Sequence, residues 1–126
     1  MAAELPPQLR NQLQLLQQLQ QQAQVVISQR AQLEVQVKEH ERTLEELAKV
    51  SGDAPIYRSA GSLLIRAKDK AGIEAELKEA KETAEVRLAS MKRQEEKLRE
   101  RLTSLQREIQ AALASQQGRV AGPRGG

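Results

Sequence analysis

The chain has 126 residues, 29% of them charged, with Tyr57 as its one aromatic side chain and no Cys. A compact domain of this size leans on aromatics for buried area, and without Cys there are no disulfides, thiol catalysis or thiolate metal sites. The net charge of +3 lies in the connector and the tail, because segments 6–50 and 71–117 are each neutral, and no basic stripe marks a nucleic-acid face.

Gly and Pro are unevenly placed. None occurs between Pro7 and Gly52, or between Gly72 and Gly118. Two long stretches without helix breakers describe two extended helices rather than one globule. No run of 18 apolar residues predicts a membrane span. The start, MAAELPPQLR, lacks a basic segment followed by an apolar core, so no secretory signal is expected and a cytoplasmic protein is.

Residues 1–5 read as a short N-terminal extension. The first helix is predicted over 6–51, opening at Pro6-Pro7, where a missing N–H costs nothing. Its seven-residue pattern puts Leu9, Leu16, Ala23, Arg30, Val37 and Leu44 at one seam position. Gln12, Leu19, Val26, Leu33, His40 and Leu47 take the other. Nine of these twelve are apolar, the signature of a coiled-coil seam. Ser51-Gly52 is the expected stop, with Gly52 able to take the left-handed conformation.

Segment 52–68 has a different grammar. Ile56-Tyr57-Arg58-Ser59-Ala60 and Leu63-Leu64-Ile65-Arg66 flank Gly61-Ser62, which suits a two-residue hairpin turn. The second helix is predicted over 69–117, with Asp69 as N-cap. Its seam reads Leu77, Lys81, Ala84, Leu88, Met91, Glu95, Leu98, Leu102, Leu105, Ile109, Ala112 and Gln116. Gly118 is the expected stop, and 118–126 reads as a disordered tail. Glu34–Lys38, Glu45–Lys49, Glu74–Lys78 and Glu95–Arg99 are i,i+4 pairs that support exposed helix.

The predicted fold is mostly α: a long antiparallel two-helix coiled coil with a single β-hairpin joining the helices. Pairing of each helix with another chain is the alternative, but closing a connector of about 20 residues within one chain costs little. Both chain ends would then share one tip. An isolated apolar hairpin has two unpaired edges. Ile56, Tyr57, Leu63, Leu64 and Ile65 are therefore expected to assemble with hairpins of other subunits into closed β-barrels. Residues 11–29 carry no charge, and Leu13, Leu15, Val25 and Ile27 are apolar off the seam. Such a surface marks either a binding site or a coiled-coil end kept soluble by Gln.

The residues resemble a known family. Leu5-Pro6-Pro7, Gln12-Leu13 and the run Leu16–Gln24 are followed by Leu44-Glu45-Glu46-Leu47. The hairpin Ile56–Ile65 is similar to the form V-Y-K-x-x-G-x-[IL]-[LF]. Lys68-Asp69 opens the second helix, and Arg93-Gln94-Glu95-Glu96-Lys97-Leu98 carries an R-Q-E-E motif. Together they resemble the β-class subunit of archaeal-type prefoldin over about residues 4–115. Gly72 departs from the pattern, since a better helix former is expected in that first turn.

The resemblance implies an ATP-independent holding chaperone. Four β subunits would join two prefoldin α subunits through a double β-barrel platform. The coiled-coil tips would hold non-native client proteins and pass them to a group II chaperonin. Carried over by position, the client-binding residues would be Leu5, Leu9, Leu13, Leu16, Ile109, Ala112 and Leu113.

No cofactor, metal site or catalytic set is expected. His40 is the one His, with Glu39 and Glu41 on other faces and Gln36, Val37, Thr43 and Leu44 one turn away. A metal needs converging ligands, so His40 reads as a polar seam residue. Two rival readings stand: a structural coiled-coil scaffold without chaperone activity, and nucleic-acid binding through Arg119, Arg124 and the connector.

Overall fold

The computed structural model describes residues 5–121, and the side chains of residues 5–116. The element order is helix α1 (Pro7–Ala48), strand β1 (Tyr57–Ala60), strand β2 (Leu63–Arg66) and helix α2 (Lys70–Ala121). The chain divides into two compact units. The first combines the residues up to Ser28 with those from Lys92, and the second is Gln29–Met91.

In each unit the helices run antiparallel. In the first, Pro6, Leu9 and Gln12 share a groove with Glu108, Ala112 and Gln116. Gln18, Gln22 and Val26 share another with Gln94, Leu98 and Arg101. Numbering thus rises along α1 as it falls along α2. In the second unit Lys81 Nζ reaches Glu41 Oε1 across the helices at 3.7 Å.

All twenty-four predicted seam positions are buried or half-buried. In the first unit Leu9 and Leu19 are each 2% exposed, and Val26, Leu98, Leu105 and Ile109 are also buried. In the second, Val37, Leu47 and Ala84 form the buried core. A seven-residue apolar repeat keeps one stripe of each helix against its neighbour, and covering that stripe supplies most helical stability. Cationic seam residues are half-buried and meet carboxylates beside the seam. Arg30 Nη1 bonds Glu34 Oε1 at 3.2 Å, and Lys81 reaches Glu41.

The helix ends differ in part from expectation. Pro7 is the first residue of α1, and the Pro6 carbonyl accepts the Arg10 N–H at 3.0 Å. The expected left-handed closure at Gly52 is not used, because Gly61 is the one described glycine with positive φ. Instead the last turn tightens. Lys49 N–H bonds the Glu46 carbonyl and Val50 N–H the Leu47 carbonyl, both at 3.1 Å. Lys70 Nζ then caps the Val50 carbonyl at 2.8 Å.

Helix α2 begins as predicted at an Asp69 cap, whose Oδ1 accepts the Gly72 N–H at 2.6 Å. The cap accounts for Gly72. A Cβ there would stand 2.7 Å from Asp69 Oδ1 and displace it. The other end corrects the sequence reading: α2 runs through Gly118 to Ala121. A glycine costs a helix about 1 kcal/mol and does not forbid it. The next breakers are Gly122 and Pro123. The remainder of the expected tail, 122–126, lies outside the described residues, as do residues 1–4 of the expected N-terminal extension.

Candidate functional site: the hairpin and the first unit

Strands β1 and β2 pair antiparallel, with Tyr57 opposite Arg66, Arg58 opposite Ile65, Ser59 opposite Leu64 and Ala60 opposite Leu63. Gly61, at φ 60°, and Ser62, at negative φ, make the two-residue loop a type II′ turn. Ala67 N–H adds a further bond to the Ile56 carbonyl at 2.8 Å.

Side chains alternate between the two faces of a strand. Tyr57 and Leu64 therefore share one face, and Leu63 and Ile65 share the other. All four are exposed, Leu64 at 73%, while Ile56 is half-buried. The two-stranded ribbon thus carries large apolar side chains uncovered on both of its faces. Arg58 forms an ion pair with Glu76 of α2, which ties β1 to the helix.

In the first unit the sequence-predicted client-binding residues separate into two sets. Leu9 and Ile109 are buried in the seam, and Leu5, Leu16 and Ala112 are half-buried. Leu13 and Leu113 are exposed, at 38% and 39%. Leu15, Val25 and Ile27 are exposed as well. Their off-seam position made that exposure readable, although they were not among the carried-over residues.

His40 is half-buried, beside a groove of about 440 Å³ shared with Gln36, Glu76, Glu79, Thr83 and Arg87. Among the described residues, no group of three or more His, Asp or Glu is placed to hold a metal ion. Also among the described residues, no helix is long and apolar enough to cross a membrane. The side chains of Arg119 and Arg124, on which a nucleic-acid reading rests, lie outside those described.

Known proteins share this arrangement. The family described as prefoldin subunit matches residues 10–116. Prefoldin subunit beta of Archaeoglobus fulgidus is 49% identical over 115 residues, covering 91% of this chain and 98% of its own. That of Methanothrix thermoacetophila is 41% identical over 126 residues, covering both chains completely. The crystal structure of the prefoldin beta subunit from Thermococcus strain KS-1 superposes with a TM-score of 0.79 at 38% identity. It covers 89% of this chain and 97% of that one. Helix, single hairpin and helix, in this order and over this length, therefore carry one conclusion: the chain belongs to the prefoldin subunit family, in its archaeal β class, and has the chaperone-type, non-enzymatic role of a subunit in a hetero-oligomer.

Proposed function

We propose that the chain is an ATP-independent holding subunit of a cytoplasmic chaperone. Four copies assemble with two α-class subunits through their hairpins, which close into β-barrels. The assembled arms hold non-native polypeptides at their tips and deliver them to a group II chaperonin. The observation that best supports this reading is the pairing of two uncovered apolar surfaces. The hairpin exposes Tyr57, Leu63, Leu64 and Ile65 on both faces, and the first unit exposes Leu13, Leu15 and Leu113. The first surface suits assembly, where strand edges and apolar faces are covered together. The second draws Leu13 and Leu15 from segment 11–29 of α1, which has no charge to fix a partner's geometry, and Leu113 from α2.

Leu13 and Leu113 are the primary client contacts in this reading. Leu5, Leu16 and Ala112 are secondary contacts, reached at the seam's edge. Leu9 and Ile109 support them from within the seam.

The test dilutes a chemically unfolded protein into buffer containing this chain and an α-class subunit, without nucleotide. Suppressed light scattering, followed by refolding after a group II chaperonin and ATP are added, is expected. Undiminished aggregation would leave the scaffold reading in place.

A further inference from the structure

All eight residues of β1 and β2 are exposed. No apolar packing of the strands therefore holds the ribbon to the helices. The backbone joins it to α1 through segment 49–56 and to α2 through segment 67–69. A ribbon held only by such links, with few buried contacts, is free to roll.

One side-chain tie opposes that freedom. Among the described residues, the pair of Arg58 with Glu76 is the one hydrogen bond or ion pair between a strand side chain and a helix. Arg58 is the second residue of β1, and Glu76 lies in the second turn of α2.

The tie also distinguishes the two faces of the ribbon. Directly opposed residues of antiparallel strands project to the same side. Arg58, Ala60, Leu63 and Ile65 therefore share one face, and Tyr57, Ser59, Leu64 and Arg66 share the other. The Arg58 guanidinium turns its own face toward α2. Ile65, directly opposite Arg58, is accordingly the least exposed of the four large apolar side chains, at 48%, and Leu64, on the other face, is the most exposed. Leu63 shares the Arg58 face but sits at the turn end of the ribbon.

We propose that Arg58 and Glu76 are positioning residues for subunit assembly. They form a latch that turns the Tyr57 and Leu64 face outward, toward the neighbouring subunit, before the subunits meet. The inference rests on the proposed hairpin assembly and adds the element that pre-orients it. Association costs less when the contact surface is already held in its bound orientation. An exposed ion pair stabilises a fold little, and salt weakens it further. The latch therefore sets how fast the subunits join, and not whether the chain folds.

The test follows assembly of the full-length chain with an α-class subunit by stopped-flow light scattering. At low ionic strength, R58Q and E76Q should each slow association about threefold, and R58E about tenfold. The charge swap R58E/E76R should return the rate to within about twofold of wild type. At about 1 M salt, wild type should slow to the rate of R58Q. Tyr57, the one aromatic side chain, reports on the ribbon directly. Its fluorescence anisotropy in the free chain should fall in R58Q and E76Q and recover in the swap, while the urea midpoint stays that of wild type. If circular dichroism shows R58E to be misfolded, R58Q and E76Q decide the matter. The proposal is overturned if both of these associate like wild type. It is also overturned if R58Q slows association and E76Q does not, since Arg58 would then touch the neighbouring subunit itself. Leu64→Asp separates the two levels of the account. If that variant still assembles, hairpin assembly fails and the latch falls with it. If it does not assemble while R58Q and E76Q match wild type, the latch alone fails.

Discussion

Lys70 donates a hydrogen bond from Nζ to the carbonyl oxygen of Val50 at 2.8 Å, joining the first residue of α2 to the close of α1. The same ammonium lies 3.8 Å from Glu74 Oε1. The helix leaves its last carbonyls unsatisfied, and a cation there also opposes the negative end of its dipole. The bond therefore holds together the two roots of the β-hairpin. Lys70→Met keeps the stem and removes the donor. It should destabilise the chain by about 1 kcal/mol and leave helix content unchanged before melting. Thermal unfolding followed by circular dichroism measures this.

Gly72 and Asp69 make a paired prediction. Gly72→Ala alone gains helix propensity of about 1 kcal/mol but displaces the cap, worth about the same. Its net effect on stability should be near zero. In an Asp69→Ala background there is no cap to displace, and Gly72→Ala should stabilise by about 1 kcal/mol. A double-mutant cycle in urea reads the coupling directly.

The seam and its neighbours should respond very differently to truncation. Leu19 is 2% exposed and Val25 is 56% exposed. Leu19→Ala should cost about 2–3 kcal/mol, combining lost burial with a cavity. Val25→Ala should cost less than about 0.5 kcal/mol, within the usual range for a surface change. Equal losses in urea denaturation would mean that the seam is misassigned.

Hairpin assembly has its own discriminating variant. Leu64 is the most exposed large apolar residue of the hairpin and sits opposite Ser59. Leu64→Asp removes nothing from the chain's own core, so helicity should persist. The complex with an α-class subunit should dissociate. Multi-angle light scattering reports the mass, and an unchanged mass would remove the hairpin from the interface.

Much of this was readable from periodicity. Even Arg30, His40, Lys81 and Glu95 fall where the seven-residue repeat puts them, because a helix fixes the direction of every side chain once its stripe is found. Asp69 and the Gly61-Ser62 turn were equally readable, since each residue type answers a local backbone need. Helix ends were less so. Closure after Ala48 depends on Lys70, which is 20 residues away in sequence from Val50. Gly118 was read as a stop, yet a lone glycine is only a modest helix penalty.

The candidate client site was readable as a region rather than as residues. Position in a family carries Leu9 and Leu13 over together. Burial separates them, because Leu9 packs against the facing helix while Leu13 points away from the seam.

The central claim is that exposed apolar side chains of the first unit hold non-native chains. It is tested most directly by comparing wild type with L13S/L113S, each assembled with an α-class subunit, in suppressing aggregation of one unfolded protein. The account predicts an assembly of unchanged mass and helicity that loses most of its holding capacity. Full suppression by that double variant would contradict it.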